Sequence, residues 1–311
     1  MSYSRRDFGK LALAALPLAA ARGGIDSKFK GVQIGAITYS FRAIDAKEVI
    51  PAMVKIGLGE AELMSNHCEA LAGAPQPPSF GGGGRGRGQR TPEQQEEMKK
   101  WRMSTSADTF KAVRKQFNDA GIQVPVLCFN QRMTATDDDI EYAFQMAKAL
   151  GVHAISSSST VSFARRVAPF ADKHKMMWSG HGHDNVADPE EFATPKSFET
   201  ITSFSKYIGI NLDIGHFTAA GFDAVPYIKQ VHERITNLHL KDRNKPTPGG
   251  PRPGNVVWGQ GDTPIKDVLL FMAKEKYKFP ANIEFEYQVP QGSDVVTEVG
   301  KCFDYCKKVL A

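Results

Sequence analysis

This sequence lacks several features that would indicate other classes of protein. It has only four cysteines, and their spacing shows no zinc-ribbon pattern. The apolar run from Leu11 to Ala21 is too short to span a bilayer comfortably. The glycine run from Gly81 to Gly84 has no strand–GxxxxGK[ST]–helix context, so it is not a phosphate-binding loop. A zinc ribbon, a stable membrane anchor and a P-loop are therefore not predicted.

Charge and composition indicate an ordinary folded protein. The net charge is only +5, and the N-terminal segment together with Arg85, Arg87 and Arg90 supplies much of that excess. A nucleic-acid partner is therefore not expected. Hydrophobic residues make up 41% of the chain and include 19 Phe, which is enough for a large core. A length of 311 residues fits either two average domains or one α/β barrel.

The N-terminus carries a targeting signal. Ser4-Arg5-Arg6-Asp7-Phe8 precedes the apolar run, which predicts a twin-arginine signal peptide over residues 1–22. We expect a periplasmic or secreted protein with no stable membrane insertion after cleavage. This route exports folded proteins, which suits an enzyme that acquires a metal ion before release.

From about residue 28 to residue 311, short β-like runs alternate with amphipathic segments of helical period. Repeated βα units with right-handed crossovers predict a parallel sheet, and eight of them predict a single (β/α)8 TIM barrel. The predicted strands are Gly31–Ser40, Gly59–Met64, Gln123–Asn130, His153–Ser158, Lys175–Gly180, Gly209–Ile214, Ile235–Leu240 and Ala281–Tyr287. The predicted helices are Thr105–Ala120, Asp137–Leu150, Thr194–Tyr207, Asp223–Arg234, Ile265–Lys276 and Asp294–Leu310.

Two segments interrupt this alternation. A glycine-rich insertion lies around residues 73–92, and a loop rich in Pro and Gly spans Lys245 to Asn255. Both follow the carboxyl end of a predicted strand, where barrels of this kind place their active sites, so both are lid candidates. For the glycine-rich insertion, an unstructured surface loop is the favoured interpretation.

Ionisable side chains lie at the carboxyl ends of six predicted strands. Burying such a group without a partner costs several kcal/mol, so its presence there requires an explanation. Strand parity places His239 and Lys241 on one face and Leu238 on the other. The polar residues at the strand ends are Arg42, Glu60, Glu62, Asn130, His181, His183, Asp213, His216, His239, Lys241, Asp242, Glu284 and Glu286. His, Asp, His and Glu meeting at one end of a barrel predict a mixed nitrogen and oxygen site for Mn²⁺, Zn²⁺, Co²⁺ or Fe²⁺.

Four motifs resemble signatures of the sugar phosphate isomerase/epimerase superfamily, whose members share a xylose isomerase-like barrel. A fifth similarity joins the segment Pro169–His174 to His181-Gly-His183. The four motifs are Asn211-Leu-Asp213-Ile-Gly-His216, His239-Leu-Lys-Asp242, Trp258-Gly-Gln-Gly-Asp262 and Ile283-Glu-Phe-Glu286-Tyr. The resemblance implies that one divalent metal, Mn²⁺ before the alternatives, is held by His181, Asp213, His239 and Glu286. Glu284 is then left for a supporting position.

The resemblance also implies proton abstraction beside a carbonyl, through an enediolate. Two-carboxylate epimerases have Glu where this chain has His181, so their symmetric mechanism is in doubt here. His183 is the first candidate for the base, with Glu286 as the alternative. A metal-dependent isomerase or epimerase of a sugar or keto-sugar is the leading interpretation. The alternatives are a lyase that eliminates the aglycone from 3-keto-glycosides, a non-catalytic sugar-binding barrel, and an endonuclease-type relative.

Other residues are expected to contact a small carbohydrate substrate. His216 and Lys241 are predicted to hold hydroxyl groups or developing negative charge, and Arg42, Trp258 and Glu62 to line the pocket. The sequence does not determine the substrate or the oligomeric state. A homo-oligomer is one of the states that it allows.

Overall fold

The computed structural model describes residues 24–76 and 91–311. The predicted signal peptide and the glycine run from Gly81 to Gly84 lie outside these residues. Among the residues that it does describe, no helix is both long and apolar enough to cross a membrane.

Eight parallel strands, β2 to β9, close into a barrel, as the sequence predicts. Each strand pairs with the next along the chain, and β2 also pairs with β9 to close the ring. The short strand β1 pairs with β2 in the antiparallel direction, outside this ring. The strands are β1 Lys28–Phe29, β2 Val32–Ile37, β3 Glu60–Met64, β4 Gln123–Cys128, β5 Ala154–Ser157, β6 Met177–His181, β7 Ile208–Asp213, β8 Ile235–Leu240 and β9 Ala281–Ile283.

Helices cover the outside of the barrel. The predicted helix Asp137–Leu150 has the bounds that the structure shows, because Thr136 forms a capping box at its start and Gly151 ends it at φ 68°. The helices are α1 Ala46–Ile56, α2 Ser65–Leu71, α3 Pro92–Ser104, α4 Ala107–Asp119, α5 Asp137–Leu150, α6 Val161–His174, α7 Pro195–Thr202, α8 Ile214–Ala219, α9 Ala224–Val231, α10 Ile265–Glu275 and α11 Val295–Val309. Short 3₁₀ helices span Thr38–Phe41 and His232–Arg234.

One predicted helix is too long. The prediction Thr194–Tyr207 extends past α7, which ends at Thr202. The guanidinium of Arg234 donates to the carbonyl oxygens of Thr202, Ser205 and Ile208, each at 2.7 Å. The carbonyl of Thr202, at the end of α7, is therefore satisfied by the Arg234 side chain and not by a further helical turn.

The glycine-rich insertion predicted around residues 73–92 ends where α3 begins. Thr91 forms a capping box with Gln94, and Pro92 occupies the first helical turn. Further along this helix, Arg102 donates to both carboxylate oxygens of the buried Glu69, at 2.8 and 3.2 Å. This pair attaches α3 to α2.

The barrel interior is unusually polar, whereas the layer between strands and helices is apolar. Leu238 and Leu240 belong to the core against the helices. Asn237 instead donates across the barrel to Glu62 at 2.7 Å and to Asn282 on the neighbouring strand β9 at 3.1 Å. The alternation on β8 is therefore the one that strand parity predicts. All four cysteines are free and buried, so they are packed thiols.

One glycine makes room for a carboxylate inside the barrel. A Cβ atom on Gly35 would lie 1.7 Å from Oε2 of Glu60, which occupies that space and accepts from Asn282 at 2.5 Å. Burial, followed by the nearby Glu62, raises the pKa of Glu60 well above its ordinary value. Glu60 therefore fills the space that a side chain at position 35 would take.

The last strand is shorter than predicted, because β9 ends at Ile283 and not at Tyr287. Beyond it, Ser40 donates to the carbonyl of Ile283 and accepts from the backbone N–H of Phe285, both at 2.9 Å. The side chain of Ser40 thus takes the place of the backbone hydrogen bonds that would continue the pairing of β9 with β2. The hydroxyl of Tyr287 donates to Glu298 on α11 at 2.8 Å, which fixes the far end of the segment.

Candidate metal centre

Four buried side chains meet at the carboxyl end of the barrel, three from the neighbouring strands β6, β7 and β8 and one from the residue after β9. They are His181, Asp213, His239 and Glu284, and one ligand atom from each lies within 4.8 Å of the others. Parallel register brings them together: Asp213 on β7 is paired with His239 on β8, and His181 ends β6 beside Asn211. Glu284 follows β9 directly, and its backbone N–H donates to the carbonyl of Leu240 at 2.9 Å.

The two histidines of this cluster are held by hydrogen bonds, His181 through one ring nitrogen and His239 through both. Nδ1 of His181 lies 2.8 Å from the amide oxygen of Asn211. Nδ1 of His239 lies 3.0 Å from Glu284, and its Nε2 is hydrogen-bonded to Glu62. Burial lowers the pKa of His181 well below its ordinary value. Burial would also lower the pKa of His239, but Glu62 and Glu284 raise it well above the ordinary value.

Asp213 has one carboxylate oxygen without a hydrogen bond. Oδ1 accepts from the backbone N–H of His216 at 2.7 Å and so caps α8. Oδ2 is buried and has no hydrogen-bond partner in the described part of the chain, although Nζ of Lys241 lies 3.0 Å away. Burial raises the pKa of Asp213 to about 7, with Lys241 opposing the shift. Lys241 neutralises this oxygen without hydrogen-bonding to it, and two imidazoles with two carboxylates are a donor set that suits a divalent cation.

The structure places Glu284, and not the predicted Glu286, in this four-residue cluster. Oε2 of Glu286 accepts from Nζ of Lys241 at 2.6 Å, and its side chain is 21% exposed. Lys241 also lies 2.8 Å from Glu284 and so neutralises three carboxylates together. Burial alone would lower the pKa of Lys241, but these carboxylates raise it. Glu286 as a metal ligand remains a prediction.

Glu62 lies beneath the cluster and not at the pocket surface. Its side chain is fully buried and accepts from Ser156, from Asn237 at 2.7 Å and from His239. This burial gives no support to the predicted contact between Glu62 and substrate, which remains a prediction. A carboxylate bound to the far nitrogen of a ligating histidine is a common support of metal sites, because it fixes the orientation of the ring.

His183 and His216 stack at the barrel mouth. Their rings are parallel within 9°, with centroids 5.2 Å apart, and His183 lies equally far from His181. Nε2 of His183 is 3.0 Å from the hydroxyl of Ser158. Burial lowers the pKa of His183, with Glu191 opposing, and burial lowers that of His216 further. Both predicted functional histidines therefore lie next to the four-residue cluster.

The remaining predicted residues lie around this mouth. The guanidinium of Arg42 donates to the carbonyl of Phe285 at 2.7 Å and covers the ring of Tyr39 at 4.6 Å. Trp258 is mostly buried and packs edge-on against Tyr305, with centroids 5.8 Å apart. Trp258 is thus placed for packing, and this contact gives no support to its predicted role in lining the pocket.

Asp242 joins two of the motifs. Its Oδ2 accepts from the backbone N–H groups of Gly259 and Gly261, at 2.7 and 3.0 Å. The strand motif that contains His239 and the loop motif that contains Trp258 are therefore one structural unit.

Sequence reasoning missed the residue that connects the loops of the mouth. Asp184 directly follows His183, is buried, and binds His216, Arg243 and Arg252. Its position next to the predicted base was a usable signal. Arg243 and Arg252 gave no such signal in the sequence, because a basic residue in a loop is ordinarily solvated.

Residues 89–301 match the family described as a xylose isomerase-like TIM barrel. The chain belongs to this family. The match covers more than half of the chain and includes every residue of the four-residue cluster. Two similar solved structures, both from Parabacteroides distasonis, are described as sugar phosphate isomerases/epimerases. One of them has a TM-score of 0.57 and 15% identity, over 94% of this chain and 99% of its own.

Individual relatives are distant. An inosose dehydratase of Mesomycoplasma hyopneumoniae is 28% identical over 119 residues, which are 34% of this chain and 39% of that relative. The probable 3-DHS dehydratase AsbF of Bacillus anthracis has a TM-score of 0.62 and 14% identity, over 89% of this chain and 99% of its own. The IOLI protein, whose structure contains a zinc atom, has a TM-score of 0.57 and 13% identity, over 89% and 96% of the two chains. At these identities the structural similarity shows the fold alone.

Proposed function

We propose that this protein is a metal-dependent enzyme that isomerises or epimerises a sugar or keto-sugar. The observation that carries the proposal is the buried cluster of His181, Asp213, His239 and Glu284, whose Asp213 has an oxygen without a hydrogen bond. Buried polar groups are normally paired, and a cluster of two imidazoles and two carboxylates suits a divalent transition metal. Mn²⁺ is our first choice, with Zn²⁺, Co²⁺ and Fe²⁺ as alternatives. The zinc atom in the IOLI structure supports a divalent ion in this fold.

The bound ion would supply polarisation of a substrate carbonyl or hydroxyl. His183 is assigned as the base that removes the proton from the neighbouring carbon, because its ring lies 5.2 Å from that of His181. Lys241 is assigned to stabilise the developing oxyanion, since its ammonium already lies among Asp213, Glu284 and Glu286. His216, stacked on His183, would hold a substrate hydroxyl. Glu286 is the alternative base.

Elimination is the second candidate. The inosose dehydratase and the probable 3-DHS dehydratase AsbF are named for reactions that remove water. Such a reaction begins with the same proton abstraction and then expels a group from the next carbon. A lyase that releases the aglycone of a 3-keto-glycoside would use the same residues. Retention of a sugar without any reaction would instead indicate a binding barrel.

The test is proton exchange in D₂O. The metal-loaded protein is incubated with keto-sugars and with keto-glycosides, and deuterium beside the carbonyl is measured by mass spectrometry. We expect incorporation that chelation abolishes. A changed sugar configuration supports the isomerase, and released aglycone supports the lyase. Absence of exchange with all of these substrates would contradict both.

A variant pair tests the base. His183→Gln is expected to keep its metal and its fold while turnover falls by roughly 10²–10⁴, the usual contribution of a positioned base. The control is His232→Gln, the same change in a 3₁₀ helix directly before β8, at the opposite end of the barrel. If His183→Gln keeps wild-type turnover, the base must be sought at Glu286.

A further inference from the structure

Asp184 carries a buried carboxylate in the loop after β6, with only 1% of its side chain exposed. Its Oδ1 lies 2.7 Å from Nδ1 of His216 and 2.9 Å from Nη1 of Arg243. Arg252 donates to both oxygens, at 2.5 Å to Oδ1 and 2.7 Å to Oδ2. We call these four residues the Asp184 cluster. Its members come from the loop after β6, from α8 and from the segment after β8, so one carboxylate joins three parts of the barrel mouth.

The protonation of this carboxylate determines what His216 can do. Burial alone would raise the pKa of Asp184, but hydrogen bonds from Arg252, His216 and Arg243 lower it well below the ordinary value. An ionised carboxylate only accepts hydrogen bonds, so Nδ1 of His216 must be the donor. The other ring nitrogen, Nε2, is then left as an acceptor in a neutral imidazole.

Nη1 of Arg243 also contacts Nδ1 of His216, and two donors cannot share one hydrogen bond. Nη1 has its own acceptor in Asp184, at 2.9 Å, whereas the carboxylate has no hydrogen to give. The tautomer with hydrogen on Nδ1 is therefore the one that makes the 2.7 Å contact with Oδ1 of Asp184 a hydrogen bond.

The same carboxylate fastens the loop from Lys245 to Asn255. Arg252 has a side chain that is 64% exposed, yet its guanidinium reaches the buried Asp184. Arg243 donates to the carbonyl of Pro253 and forms an isolated antiparallel bridge with Asn255. Two arginines thus attach the loop to one acceptor.

We propose that Asp184 is a positioning residue of the barrel mouth, which holds His216 in the tautomer with an unprotonated Nε2 and fastens the Lys245–Asn255 loop through Arg252. This role concerns geometry and does not require the reaction proposed above. Asp184 lies next to His183, whose ring stacks on that of His216, so its loss would disturb two functional histidines together.

The experiment compares the full protein, loaded with diamagnetic Zn²⁺, with Asp184→Ala, Arg252→Gln and the control Asp188→Ala. Asp188 lies in the same loop but is exposed. The tautomer of His216 is read from the nitrogen shifts of its ring, assigned with His216→Gln. Attachment of the loop is read from hydrogen exchange of residues 244–255.

We expect wild type and Asp188→Ala to show hydrogen on Nδ1 of His216 and slow exchange in the loop. Arg252→Gln should keep this tautomer while exchange in the loop becomes about fivefold faster, as for loss of one ion pair. Asp184→Ala should change both readouts.

A wild-type His216 with hydrogen on Nε2 would overturn the proposal, even if Asp184→Ala does not fold. Unchanged loop exchange in Arg252→Gln would overturn its second half. Neither readout depends on turnover, so both are independent of the reaction class.

Discussion

At the scale of single residues, the two histidines of the candidate metal centre are oriented by side chains within the barrel. His239 is hydrogen-bonded to Glu62 through Nε2, and His181 to Asn211 through Nδ1. Asn211 in turn lies 3.4 Å from Glu62, so both rings depend on one buried carboxylate. Supports of this kind commonly fix the ring and raise the basicity of the metal-binding nitrogen. Glu62 therefore orients both histidines from inside the barrel.

The two glutamates after β9 should differ in their effect on metal binding. Glu284→Gln removes a carboxylate of the four-residue cluster, whereas Glu286 contacts that cluster only through Lys241. Glu286→Gln should lower metal affinity by about 10- to 100-fold, the range for an outer partner, and Glu284→Gln by more. Titration with Zn²⁺ and elemental analysis measure this. A larger loss in Glu286→Gln would restore Glu286 as the ligand.

At the scale of elements, charged pairs attach neighbouring helices outside the barrel. Oε2 of Glu141 on α5 lies 2.9 Å from Lys173 and 3.0 Å from His174, both on α6. The ring of His174 stacks on Phe144, with centroids 4.8 Å apart, so this junction is both charged and apolar. Burial would raise the pKa of Glu141, but hydrogen bonds from His174 and Lys173 lower it to about 2.

This junction predicts a stability difference that depends on pH. The folded pKa of Glu141 lies below its ordinary value, so the carboxylate stabilises the fold above about pH 4.5 and loses this effect as the pH falls towards 2. Glu141→Gln should lower the free energy of unfolding at pH 6 by on the order of 1 kcal/mol, a modest value because the side chain is 29% exposed. Urea midpoints at pH 6 and pH 3 test whether the difference shrinks. The control is Glu199→Gln, which removes a surface pair. A constant difference at both pH values would contradict the assignment.

At the scale of the whole molecule, the candidate metal centre and its support Glu62 need strands from both ends of the chain. His181 and Glu284 are about one hundred positions apart and meet because β6, β7, β8 and β9 pair in sequence around the barrel. Metal loading before export would then require a folded chain. We propose that the twin-arginine route exports the protein in this folded state.

Changing Arg5 and Arg6 to Lys should therefore retain the protein in the cytoplasm, because the paired arginines are the feature on which the predicted signal rests. Cell fractionation followed by immunoblotting measures the distribution. The matched control changes Arg85 and Arg87 to Lys, which leaves the N-terminus intact. Unchanged periplasmic recovery of the N-terminal variant through the same pathway would contradict the prediction.

The sequence by itself determined the barrel and the end at which its site lies. Apolar periodicity is a local property, so the strands around Leu238 and the helix Asp137–Leu150 were predictable from a few residues each. Polar residues at strand ends were equally visible, because burial of His239 or Asp213 without partners would be costly. The family resemblance added the ligand types.

Only the tertiary structure decided which of these polar residues share the centre. Strand parity places Glu284 and Glu286 on one face. The distance of each from His239 depends on where the backbone pairing of β9 with β2 ends. Ser40, which follows β2, determines that point through its hydrogen bonds to Ile283 and Phe285. The depth of Glu62 in the barrel likewise depends on its neighbours in β5 and β8. Strand pattern gives the face of a side chain, whereas its depth and its partners are set by strands distant in the sequence.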